Sequence, residues 1–349
     1  MRPRSVPQGF TLVELLLSLA LIGLLMLVLA SMTNATAFSW RYTTSKIEQF
    51  RGAETAFETI SRRVSQATLN TSWDYHYPNG NTSLPPDRYI RQSDLRFISD
   101  RTETLVQTST PPRPTHGIFF QAPLGYVDDS VDFGGLDNLL NTWGYYLEYN
   151  KDIRPPFLDT LPNPPAVRNR FRLMELMQPS NKLTIYGYTS GNPSYIGHEW
   201  FTDALNAAAP PVHVLAENVI AMVILPKLSK AEDPTGTNLA PNYAYDSTTD
   251  LSAASPALNP KNQLPPVVQI TLVAIDETSA LRMTDTDVTN LIAELEGLFT
   301  TASQLDADLG NGTTAPGNGS LGSYLIQRKI NYRVFTTNVS LRGAKWSRN

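Results

Sequence analysis

One carboxylate in an otherwise uncharged apolar run is the most chemically loaded feature of this sequence. Gly9-Phe10-Thr11-Leu12-Val13-Glu14 opens the run, and after Glu14 no charge appears until Arg41. That is long enough to cross a bilayer, whose hydrocarbon core of about 30 Å takes roughly 20 helical residues. A carboxylate at the mouth of such a segment is expensive, which calls for a functional role with a definite partner.

Other candidate chemistry is sparse. His76, His116, His198 and His213 are scattered without metal-ligand spacing, and a surface or satisfied core role is the ordinary expectation for each. Glu199 adjoins His198, but neighbours on a strand face opposite ways. No G-x-S-x-G elbow, Walker loop or H-E-x-x-H is present. The absence of cysteine excludes disulfides, thiolate metal sites and Cys nucleophiles. Asp306-Ala307-Asp308-Leu309-Gly310-Asn311-Gly312 begins like a calcium loop, but Gly317 stands where the twelfth position needs Glu. Asp128, Asp129 and Asp132 form a second acidic group. Turn capping is the usual role of Asp in loops. The chain therefore reads as a non-enzyme without a cofactor, calcium being the one ligand kept open.

The opening motif resembles the processing site of type IV pilins and type II secretion pseudopilins. The resemblance implies that a membrane prepilin peptidase cuts after Gly9 on the cytoplasmic side and that Phe10 becomes the N-methylated first residue. It also implies that Glu14 is the assembly carboxylate. The new ammonium on Phe10 would be neutralised by a Glu one helical turn away in a neighbouring subunit. Pairing two charges that are each uncomfortable in low dielectric fixes the axial register of a helical stack. The implied partners are the peptidase, other pilin-like subunits, the inner-membrane assembly machinery and lipid. The implied location is a single-pass inner-membrane protein with a cytoplasmic N-terminus and a head in the periplasm or in an extracellular filament. Two other readings stay open on the residues alone. Arg2 and Arg4 with Ala35-Thr36-Ala37 fit a secretory signal peptide, and the run fits a plain anchor with Glu14 at the interface. Positive charge does not settle the orientation, since Arg41, Lys46 and Arg51 follow the span.

The elements that position this motif follow from periodicity. Between Phe38 and Leu69 there is no Pro, and Ile47, Phe50, Ala53, Phe57, Ile60, Val64 and Ala67 recur at helical spacing. This predicts one helix from Phe10 to about Leu69, roughly 90 Å long. Its first part, residues 10–37, is apolar all round and suits lipid or a filament core. Its second, 38–70, has one apolar stripe and suits a sheet. The pilin family often has a Pro late in the membrane segment; here none occurs between Pro7 and Pro78, and Gly23 and Gly52 are the soft points.

Residues 71–349 then form a β-rich head, with 1–9 as leader. Strands are expected at 95–98, 104–107, 117–121, 144–149, 171–177, 182–188, 218–225, 267–275 and 332–341. A helix is expected at 286–304, capped by Thr284-Asp285-Thr286-Asp287. An aromatic loop is expected over 73–80, surface loops at 78–87, 111–114 and 155–165, a longer excursion at 229–264, and a linker at 310–322. The fold class is α+β, and the resemblance makes it pilin-like: a long N-terminal helix packed on an antiparallel sheet with loop insertions. Residues 119–125, 215–227 and 333–346 resemble the Verru_Chthon cassette protein C family, and 216–223 and 264–277 are similar to J-type minor pseudopilins. A head of this size fits poorly in a tightly packed shaft, so a minor subunit, at a tip or in initiation, is expected. Aromatics at 73–77 and 195–200 motivate an alternative, a membrane-anchored adhesin. A net charge of −4 offers no basic surface for nucleic acid.

Overall fold

The structure, a computed structural model, describes residues 12–107, 110–128, 130–135, 139–151, 156–164, 167–187, 197–310 and 319–347. The chain divides into two units, Met1–Gln49 and Phe50–Asn349. Leucine, alanine and methionine are strong helix formers, and helix α1 runs over Leu12–Gln49. Helix α2, Arg51–Val64, opens the second unit.

The single helix expected to Leu69 is thus two shorter ones. The division falls at Phe50 (φ −102°, ψ 0°), two residues before the soft point Gly52. The second helix stops early because other partners take its amides. Gln66 and Ala67 close tight turns on the Arg63 and Val64 carbonyls at 3.0 Å, and the Thr68 amide donates to Gln121 O at 2.9 Å. Within α2, Ala53, Ala56, Ile60 and Val64 are buried at helical spacing, so the apolar stripe lies on the head as its pattern requires. Glu54 in the first turn and Arg62 and Arg63 in the last complement the helix dipole.

Among the described residues the head holds three antiparallel sheets. β1 (Ser72–His76) and β2 (Arg88–Gln92) form a ribbon. β3 (Phe97–Arg101), β4 (His116–Pro123), β5 (Leu140–Lys151), β6 (Asn169–Gln178), β7 (Val212–Glu217) and β9 (Tyr245–Asp246) make a six-stranded sheet in the order β7-β6-β5-β4-β3-β9. β8 (Val219–Lys227), β10 (Val267–Ile275) and β11 (Tyr332–Ser340) make a three-stranded sheet in the order β11-β10-β8. Short helices α3 (Thr102–Val106), α4 (Ser130–Phe133), α5 (Glu199–Leu205), α6 (Glu277–Arg282), α7 (Asp285–Gly297), α8 (Leu305–Leu309) and α9 (Leu321–Gln327) complete it. The result is the expected α+β, pilin-like layout of an apolar N-terminal helix followed by antiparallel sheets.

Two apolar clusters flank the three-stranded sheet. α2 and the large sheet contribute Ile60, Phe120, Tyr145 and Leu147 to one, together with Met222 and Ile224 of β8. Helices α7 and α9 contribute Leu291, Leu295 and Leu325 to the other, together with Ile220 and Val223 of β8. β8 is therefore buried on both faces, which explains its near-continuous apolar sequence.

Several expectations are corrected. Residues 104–106 belong to α3, not a strand, and Gln107 ends that helix at a left-handed φ of 55°; the helical turn buries Leu105 and Val106. Residues 182–187 form turns at Ser180–Lys182 and Ile185–Gly187, because Pro179 ends the β6 ladder. The helix expected to 304 stops at Gly297; Phe299 turns to a left-handed φ of 55° and is wholly buried, its amide held by the Asp308 carboxylate at 2.9 Å. Residues 73–76 are strand rather than loop. The 229–264 excursion folds onto the head, with Ala240, Tyr243 and Tyr245 buried and β9 paired to β3. The 310–322 linker runs into α9, and its residues 311–318 lie outside the described ones.

Candidate functional site

Within α1, Leu15–Thr33 is a stretch of 19 residues long and apolar enough to cross a membrane. At about 1.5 Å per residue it spans roughly 28 Å, close to the thickness of a hydrocarbon core of about 30 Å. Its leucines point outward; Leu15, Leu16, Leu19, Leu24 and Leu29 are all exposed. Its hydroxyls are satisfied within the helix. Ser18 donates to Leu15 O at 2.9 Å, Ser31 to Val28 O at 2.8 Å, and Thr33 to Leu29 O at 2.8 Å. Just beyond, Thr36 donates to Met32 O at 2.8 Å. A hydroxyl in lipid finds no water, so bonding back one turn removes the penalty of carrying it there.

Gly9 and Phe10 lie outside the described residues. Glu14 falls in the first turn of α1, and its side chain also lies outside the described ones. No described side-chain contact therefore joins the three predicted site residues.

Several of the candidates in the head have structural partners. Asp308 caps Phe299 as above, and burial raises its pKa. Asp128 pairs with Lys182; Asp129 and residues 311–318, with Gly317, lie outside the described residues. Among the described residues no group of three His, Asp or Glu could hold a metal ion. His76 pairs with Asp87 at 2.6 Å. His116 is fully buried between the two larger sheets. Its Nδ1 accepts from the Ile224 amide at 3.2 Å, so the proton sits on Nε2, which donates to Phe299 O at 3.1 Å. Burial pushes its pKa down to about 3. A cleft of about 430 Å³ is lined by Tyr149, Arg168, Arg170, Asn218, Met283 and Asp285, among others. Its polar wall is cross-tied, Arg170 reaching Glu277 at 2.6 Å and Glu217 at 3.4 Å.

Aromatic exposure divides the two motifs that suggested binding. Trp73, Tyr75 and Tyr89 stand out of the ribbon at 60%, 50% and 62% exposure. Trp200 is wholly buried, which removes it from any surface site, and residues 188–196, with Tyr195, lie outside the described residues. The link through His116 and the ribbon were not legible beforehand: each depends on a partner more than ten residues away, which periodicity does not reveal.

Residues 4–30 match the family model of the prokaryotic N-terminal methylation motif. The match supports a type IV pilin-like protein and a prepilin-like subunit, which implies processing by a prepilin peptidase and assembly with other pilin subunits. It points to a structural role rather than an enzymatic one, and with the apolar helix it fits a single-pass membrane anchor. No curated protein and no solved structure matches the chain.

Proposed function

We propose that this chain is a minor prepilin-like subunit of a type IV pilus or a type II secretion pseudopilus-like filament. The carrying observation is the methylation motif over residues 4–30 running directly into an uncharged span whose one early carboxylate is Glu14. In this reading the leader is removed after Gly9 on the cytoplasmic face, Phe10 becomes the methylated terminus, and Glu14 pairs with that terminus in a neighbouring subunit. The head then sits in the periplasm or at a filament tip, and the inner-membrane assembly machinery and lipid are partners. A unit running from Phe50 to Asn349 is bulky for a close-packed shaft, which favours a tip or initiating position. Glu14→Ala tests it: the variant is processed normally but fails to enter filaments, whereas unchanged incorporation contradicts the role of Glu14.

The exposed Trp73, Tyr75 and Tyr89 favour a second reading, an anchored adhesin, compatible with the first at a tip. Trp and Tyr are the residue types that anchor interfaces. Binding of the protein to a glycan array, lost in Trp73→Ala, supports it; an unchanged profile in that variant counts against it.

A further inference from the structure

We propose that the aromatic face of the β1–β2 ribbon binds a linear acidic glycan in which a uronate alternates with a neutral sugar. The proposal rests on the adhesin reading and names its ligand. Side chains two apart on a strand share a face, and residues directly opposite across the pair join them. The register sets Trp73 opposite Arg91 and Tyr75 opposite Tyr89, so these four form one face. Asp74, His76, Arg88 and Ile90 take the other. The Tyr75 and Tyr89 ring centroids lie 5.1 Å apart, with the planes tilted by 36°. The Arg91 guanidinium lies over the Trp73 ring, 5.2 Å from its centroid.

Arg91 decides the charge of the ligand. It is half-buried and held in place: its Nη1 donates to Gln263 Oε1 at 2.9 Å and to the Lys345 carbonyl oxygen, and Asn262 Nδ2 donates to the Arg91 carbonyl at 2.6 Å. Both acceptors of its side chain are neutral. A guanidinium carries five N–H donors in a fixed fork, and Nη1 accounts for two. The donors on Nε and Nη2, the edge that grips a carboxylate with two parallel bonds, meet no partner among the described residues. A half-buried cation without a described counter-charge, set beside open aromatic rings, complements an anion that also has a body to stack.

The rest of the strip narrows the class. Trp73, Tyr75 and Tyr89 are each at least half exposed on a sheet face, whereas the aromatic anchors of peptide interfaces sit in packed, desolvated pockets. Open rings suit the C–H faces of sugars, whose slightly positive hydrogens meet the negative face of the π system. Nucleic acid needs a run of cations that tracks its backbone. Residues 71–94 hold Arg88 and Arg91 against Asp74, Asp87 and Asp94, so a chain charged at every unit is disfavoured. The row with the cation and the uncharged tyrosine row are two residues apart, roughly 7 Å at about 3.4 Å per residue. A carboxylated sugar at Arg91 and Trp73, followed by a neutral one on Tyr75 and Tyr89, matches that order.

The test uses the full chain in detergent micelles and hexasaccharides of hyaluronan and unsulfated chondroitin, which alternate glucuronate with an N-acetylhexosamine. Isothermal titration calorimetry reads the binding. The expected result is binding of at least one of them that weakens about tenfold or more when its carboxylates are methyl-esterified, and likewise in Arg91→Gln and in Trp73→Ala. Arg91→Lys keeps the charge but not the fork, and it does not restore full affinity. The ester removes the ligand's charge without touching the protein, so a ribbon loosened by an Arg91 variant cannot mask the answer. Equal binding of the acidic sugars and of neutral chitohexaose, lost in Trp73→Ala, overturns the acidic ligand and leaves the adhesin reading standing. No binding by the acidic sugars, their esters or chitohexaose overturns the proposal together with that reading. Tighter binding of a short oligothymidylate or of a hexaglutamate peptide assigns the strip to another polymer and overturns it too.

Discussion

The guanidinium of Arg63 lies over the indole of Trp143, its central carbon 4.2 Å from the ring centroid. The same side chain pairs with Glu175 on β6, so α2 is fastened to β5 and β6 by an ion pair under an aromatic face. Burial raises the Glu175 pKa and the charge of Arg63 works against that rise. Arg63→Met strands a buried carboxylate and is expected to cost about 3 kcal/mol. Urea unfolding followed by near-UV circular dichroism measures it. Adding Glu175→Leu recovers most of the loss, because two apolar side chains replace the pair; a double variant as weak as the single contradicts this account.

The link between the sheets predicts a pH dependence. The His116 pKa is depressed to about 3 in the fold, against an ordinary value of about 6.5 in the unfolded chain. The unfolded state therefore binds the proton first as pH falls. The contribution is fully present above about 6.5 and is lost towards 3, by about 1.4 kcal/mol per pH unit. Between about pH 6.5 and 5, carboxylates with ordinary values near 4 add little slope. His116→Asn keeps an acceptor for the Ile224 amide but cannot titrate. Urea midpoints at several pH values should fall more steeply with acidity in the parent than in that variant over this window.

The membrane reading of α1 predicts a strong positional effect. Leu24 lies midway along Leu15–Thr33. Leu24→Arg disfavours insertion by about 3 kcal/mol, roughly a hundredfold shift in partition. Fractionation with alkaline extraction should move the protein out of the membrane pellet. Full retention of the variant contradicts a spanning role for the segment.

What the sequence disclosed depends on how local the cause is. The N-terminal span was legible because an uncharged run and one carboxylate announce themselves without partners. The cap of α7 was legible for the same reason: Thr284 Oγ1 accepts from the Asp287 amide at 3.2 Å and Asp287 returns a bond to the Thr284 amide at 2.9 Å. The stop of α2 was not, because a distant acceptor, Gln121, claims the Thr68 amide. Tertiary need also overrode periodicity at α3, where Leu105 and Val106 both had to face inward. The 229–264 segment looked like a solvated loop because its buried apolar residues, Ala240, Tyr243, Tyr245 and Leu264, are too irregularly spaced to form a helix or strand pattern. The roles of Gly9, Phe10 and Glu14 rest on their motif and its match over residues 4–30.

Mass spectrometry of the amino terminus of the protein purified from its own membranes tests the central claim most directly. The account predicts a mature chain that begins at Phe10 and carries a methylated amine. An intact leader, or a chain cut after Ala37, would contradict it.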